Sequence, residues 1–118
     1  MENVYEITLL LDFYGQLLTE RQYEMLDLHY NNDYSLGEIA EQMNISRQGV
    51  YDNIKRAKTA LNEFESKLGL VNKFSEQKKR AQEMLKYVKL IDTSKLSSKD
   101  VTIFNRIEEG INAIIDNS

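Results

Sequence analysis

There is no cysteine and no proline among the 118 residues, and only five are glycine. Without thiols the chain has neither disulfides nor thiolate metal sites, which suits a reducing compartment and makes the cytoplasm the expected location. Without proline nothing interrupts long helices, and so few glycines leave little material for tight hairpin turns, so an all-α fold is expected. No apolar run approaches the roughly 18 residues that span a bilayer. The opening Met1-Glu2-Asn3-Val4-Tyr5-Glu6 lacks the basic stretch that begins a secretory signal, so neither export nor membrane insertion is expected. A Gly-rich loop followed by Lys-Ser or Lys-Thr is missing, which excludes a P-loop nucleotide site. His29 is the only imidazole, and no nucleophile has a base placed beside it by motif. The expectation is a chain with no metal, no cofactor, no catalytic residues and no enzymatic activity.

Charge is unevenly spread. The formal net charge is -4 with a pI near 5.0, which repels a phosphate backbone at long range. From Thr19 to Gln42 one Arg stands against six acids (Glu20, Glu24, Asp27, Asp33, Glu38, Glu41), whereas Met43 to Asn72 carries five basic residues against three acids. Lys73 to Lys89 carries six against two, including the run Lys78-Lys79-Arg80. Such a run is most often a solvated helix end, and otherwise a contact for a polyanion.

What is present is helical periodicity, with apolar residues three and four apart along the whole chain. Six helices are expected. Val4, Ile7, Leu11, Tyr14 and Leu18 share a face in the first. Thr19 with Gln22 forms a capping box that opens the second, whose stripe is Tyr23, Leu26 and Tyr30, and Asn31-Asn32-Asp33 ends it. Ser35 with Glu38 repeats that box ahead of Leu36, Ile39, Ala40 and Met43. Ser46 caps a long fourth helix with a seam of Val50, Ile54, Ala57, Leu61, Phe64 and Leu68, closed by Gly69. A fifth helix is expected around Phe74 to Ile91, with Ala81, Met84, Val88 and Ile91 in register. A sixth runs from about Ser98 to Asp116, with Phe104, Ile107, Ile111 and Ile114. The organisation expected is a helix-turn-helix region over 1–69 and a C-terminal helical extension over 70–118, packing on the long helix or on a second subunit. Tyr14 and Tyr30 are expected to be buried, and His29 to be a surface or partly buried side chain.

Ser35 to Lys58 has the parts of a helix-turn-helix. Such a motif needs a small residue where two helices cross, a sharp turn, and buried residues that hold the second helix at a fixed angle. Ala40 supplies the first, Asn44 tolerates a left-handed turn, and Ile39, Ile45, Val50 and Ile54 are the buried set. The second helix then exposes Ser46, Arg47, Gln48, Tyr51, Asp52, Lys55 and Arg56 as candidate nucleic-acid contacts. Arg bonds guanine and Gln adenine in the major groove, while Ser46, Lys55 and Arg56 suit phosphates. Asp52 counts against phosphate binding unless a cytosine amino group or Arg56 engages it. The same features also describe a plain tri-helical packing unit with a solvated basic face, so fold and use are separate questions.

Three segments carry a resemblance. They are Leu10-Leu11-Asp12-Phe13-Tyr14-Gly15-Gln16-Leu17-Leu18-Thr19, Asp33-Tyr34-Ser35-Leu36-Gly37-Glu38-Ile39-Ala40, and Asn44-Ile45-Ser46-Arg47-Gln48-Gly49-Val50-Tyr51-Asp52-Asn53-Ile54-Lys55-Arg56. Together they resemble the YlxM family of small bacterial proteins over about Leu10 to Leu68, and that family's motif looks like region 4 of bacterial sigma factors. The resemblance implies a gene beside those of the signal recognition particle and its receptor, and a regulatory role in that pathway. It does not choose between transcription and direct contact with the particle. Gly49 stands where the family pattern commonly has alanine, and the chain after Asn72 matches only loosely. Two readings stay open: a homodimer that binds DNA through Ser46 to Arg56, and an accessory protein that docks on the particle's RNA or protein through this helix and Lys73 to Lys89. The latter would modulate the particle's GTPases. A homodimer is the expected assembly, because the apolar stripes exceed what a three-helix unit covers.

Overall fold

The computed structural model describes residues 3–117, which form six α-helices and, among the described residues, no strand. They are α1 (Val4–Tyr14), α2 (Glu20–Leu26), α3 (Leu36–Met43), α4 (Arg47–Leu68), α5 (Leu70–Val88) and α6 (Ser98–Asp116). None of the described helices is long and apolar enough to cross a membrane. The chain divides into two compact units, Met1–Val71 and Asn72–Ser118.

The expected caps open the helices. Thr19 and Ser35 each accept from the backbone N–H three residues on and have their own N–H bound by Gln22 and Glu38, giving two complete capping boxes. Ser46 accepts from Gly49 N–H at 3.0 Å. Gly69 closes α4 at φ 62, in the left-handed region that a side chain would strain. In the first unit α1, α2 and α3 all pack on α4, around Leu11, Tyr14, Met25, Leu26, Ile39, Val50, Ala57 and Leu61. Each of the larger of these side chains contributes roughly 1.5–3 kcal/mol by leaving water.

Three features differ from the sequence expectation. The first is α2, which turns into a π-helical segment at Asp27–Asn31. Ahead of this turn the buried face differs from the expected stripe as well: Met25 joins Leu26 in the core, while Tyr23 is exposed and lies over Gly15. A Cβ on Gly15 would sit 2.7 Å from the Tyr23 ring, so a larger residue there would push the ring aside. Tyr30 is half-buried at the core's edge, whereas Tyr14 is 1% exposed.

Second, α5 starts at Leu70 instead of near Phe74. The cause is a hydroxyl brought from α1. Tyr14 donates to the Glu65 carboxylate and accepts from Leu70 N–H at 3.1 Å, and the same carboxylate oxygen accepts from Val71 N–H at 3.0 Å. Two of the N–H groups that a helix start leaves bare are thereby satisfied.

Third, the apolar stripes of the second unit are mostly open. Ala81 and Ile111 are buried and Val88 and Phe104 half-buried, while Met84, Ile91, Ile107 and Ile114, expected in the same stripes, are exposed.

Candidate nucleic-acid interface

The geometry of α3 and α4 begins with the segment before them. His29 Nδ1 donates to the Tyr34 carbonyl at 2.7 Å, because a carbonyl can only accept, and Tyr34 N–H donates to the Leu28 carbonyl. Asn31 and Asn32 both bond back to Asp27, and Asp33 takes a left-handed φ of 58. These bonds fold residues 31–34 onto the π-turn and deliver Ser35 to the start of α3. His29 is thus half-buried and structural.

The turn between α3 and α4 is Asn44-Ile45-Ser46. Asn44 is left-handed at φ 57, and Ile45 N–H returns to the Ala40 carbonyl at 3.0 Å. Ile39 and Ala40 on α3 and Val50, Ile54 and Ala57 on α4 are buried, and Ile45 is half-buried against them. This packing fixes the direction in which α4 leaves the turn.

The outer face of α4 lies open. Ser46, Arg47, Gln48, Tyr51, Lys55 and Arg56 are exposed, and Asp52 is half-buried. At about 100° per residue, Arg47, Gln48, Tyr51, Asp52 and Lys55 share one side, while Arg56 lies roughly a quarter-turn beyond Lys55. The Arg47 guanidinium reaches across to α3, where a Cβ on Gly37 would stand 2.9 Å from its Nη2. Asp52 is engaged by Gln48, whose amide donates to it at 3.0 Å, instead of by Arg56. Asn53 turns back to the Gly49 carbonyl at 2.7 Å and serves the helix. A Cβ on Gly49 would meet the capping hydroxyl of Ser46 at 3.2 Å, so glycine leaves that cap unstrained.

Sequence reasoning stopped at Arg56, but the face continues. A groove of about 330 Å³ runs along α4 between Tyr51, Ile54, Lys55, Lys58, Thr59 and Asn62. Lys58 also sits over the Tyr30 ring, 5.9 Å from its centroid. The spacing of Tyr51, Lys55, Lys58 and Asn62 by four and three was the available signal. No group of three or more His, Asp or Glu residues among those described is placed to hold a metal ion.

A family model described as "Putative helix-turn-helix protein, YlxM / p13 like" matches residues 1–102. The chain belongs to this family, UPF0122. A UPF0122 protein of Acetivibrio thermocellus is 63% identical over 116 residues, covering 98% of this chain and 99% of the relative. Similar proteins occur in Desulforamulus reducens, 52% identical over 85 residues (72% of this chain, 73% of the relative), and in Thermoanaerobacter sp., 48% identical over 103 residues (87% and 86%). The family match extends to residue 102, beyond the segments from Leu10 to Leu68 that carry the resemblance in the sequence. α3, the turn and α4 have the helix-turn-helix arrangement that this family description names.

Proposed function

We propose that the protein is a DNA-binding regulator that lays the first turns of α4 in the major groove. The observation that carries this reading is the open outer face of α4 on the α3–turn–α4 frame. In this reading Gln48 and Tyr51, with Arg47 swung off Gly37, meet base edges, and Ser46, Lys55 and Arg56 hold phosphates. The frame is of the kind found in region 4 of sigma factors. The Gln48–Asp52 hydrogen bond supports it by giving the carboxylate a partner within the helix. Two chains act together, because paired motifs read half-sites one helical turn apart.

The test is a titration on duplex DNA from upstream of the protein's own operon at two salt concentrations. Binding that weakens steeply with salt is expected, and Lys55→Ala should lower affinity on all sequences and reduce the salt slope by about 1. Gln48→Ala should relax sequence preference at a cost of roughly 1–3 kcal/mol against the preferred site. No binding at low salt, or a flat salt response, overturns the reading.

The exposed cations of α5, Lys73, Lys79, Arg80 and Lys86, favour a second reading. In it the protein acts in the signal recognition particle pathway by docking on the particle's RNA or protein and modulating its GTPases. A pull-down with reconstituted particle that recovers nothing defeats it.

A further inference from the structure

The second unit carries more apolar surface than it covers. A nine-residue connection, Lys89 to Ser97, returns the chain from α5 to α6, and a groove of about 360 Å³ lined by Gln77, Arg80, Ala81, Met84 and Ile114 sets the end of α6 beside the middle of α5. Only Ala81 and Ile111 are buried there. On α6 the inward residues Phe104 and Ile111 lie on one face, while Ile103, Ile107, Gly110 and Ile114 form a second stripe roughly 80° around the helix. On α5 Met84 and Tyr87 form a second open stripe, with Tyr87 71% exposed, and Ile91 in the connection just past the helix is exposed too. Met84 and Ile114 border the same groove, so both stripes open on one side of the pair.

Gly110 is the telling residue. It lies inside α6, where glycine costs about 1 kcal/mol relative to alanine, and a Cβ added to it would meet nothing within 4 Å. Nothing in its own chain calls for so small a residue. A helix from outside, crossing the stripe closely, does.

We infer that this face receives the same face of a second copy, with α5 of each chain lying along the α6 stripe of the other and passing closest at Gly110. The inference rests on the pairing of two chains stated above and adds its surface and register. One further observation favours a second copy. The exposed apolar side chains of the two stripes offer an area of the order of 600 Å², comparable with the ~800 Å² that each partner gives to a standard interface. The product is a four-helix arrangement built from two hairpins.

Sedimentation equilibrium on the full chain tests it. The wild type is expected to be a dimer at micromolar concentration, and Gly110→Leu, which has room within its own chain, to raise the dimer Kd at least tenfold while helix content by circular dichroism stays unchanged. Tyr87→Asp, which puts a charge in the middle of the exposed α5 stripe, should weaken the dimer at least tenfold as well. A monomeric wild type overturns both the pairing and its surface. A dimer indifferent to Gly110→Leu and to Tyr87→Asp overturns the surface alone. Binding of Gly110→Leu to a DNA half-site is measured beside it, so that loss of the DNA reading is seen separately.

Discussion

Ser35 and Glu38 make a reciprocal pair whose strength depends on charge. The Glu38 carboxylate accepts from the Ser35 backbone N–H at 3.0 Å and lies by the Ser35 hydroxyl, and these bonds hold its pKa below the ordinary 4.5. A carboxyl with a lowered folded pKa adds stability that is full above the unfolded value and fades as pH falls through the folded one. Thermal melts between pH 6 and pH 2.5 should therefore show a loss at the acid end that Glu38→Gln flattens. Ser35→Ala should cost about 1 kcal/mol at neutral pH, the usual worth of such a cap. These positions were legible because a cap joins a side chain to backbone within three residues. So were Asn44 and Gly69, whose residue types fit left-handed backbone. In the candidate site, the exposed set from Ser46 to Arg56 followed from helical periodicity. What Arg47 touches did not, since Gly37 lies on another helix and nothing in the local sequence couples the two.

The contacts of Tyr14 tie three helices together across 51 and 56 positions of sequence. Its hydroxyl is buried, bonded to a carboxylate, and in turn holds the first N–H of α5. Tyr14→Phe keeps the ring in the core and removes only the oxygen, leaving Leu70 N–H and Glu65 each short of a partner. A loss of roughly 1–3 kcal/mol is expected by urea denaturation, with faster amide exchange at Leu70 as the local signature. Burial, and then the Glu65 hydrogen bond, raise the Tyr14 pKa above the ordinary 10.0. A neutral phenol favoured in the fold adds stability that is full below pH 10 and lost as pH rises through the folded pKa, so the wild type should lose more stability than Tyr14→Phe in strong alkali. Periodicity placed Tyr14 in the core but said nothing of this bond, because a seam records which residues face inward and not what their polar tips meet. The π-turn at Asp27–Asn31 escaped for a related reason. A single wider turn leaves no compositional mark in Asp27–Asn31.

The two units differ in how their helices are held. In Met1–Val71 one contiguous cluster joins four helices, whereas Asn72–Ser118 buries Ala81 and Ile111 alone among its described residues. Local opening is easiest where few apolar contacts would be lost, so α6 should exchange its amides by smaller fluctuations than α4. If α6 gains its missing contacts from a second chain, dissociation exposes it, and its protection must follow mass action. The expected result is a protection factor for Ile107 to Ile111 that falls as the protein is diluted from about 100 μM to about 1 μM, by roughly tenfold for each 1.4 kcal/mol of lost coupling. Over the same dilution Val50 to Leu61 should hold constant, since their partners lie in their own unit. Hydrogen exchange read by mass spectrometry on peptides of the two helices compares them in one sample. Equal behaviour of α4 and α6 at every concentration would mean that α6 is already held within its own chain, and that its open stripes answer to no second copy.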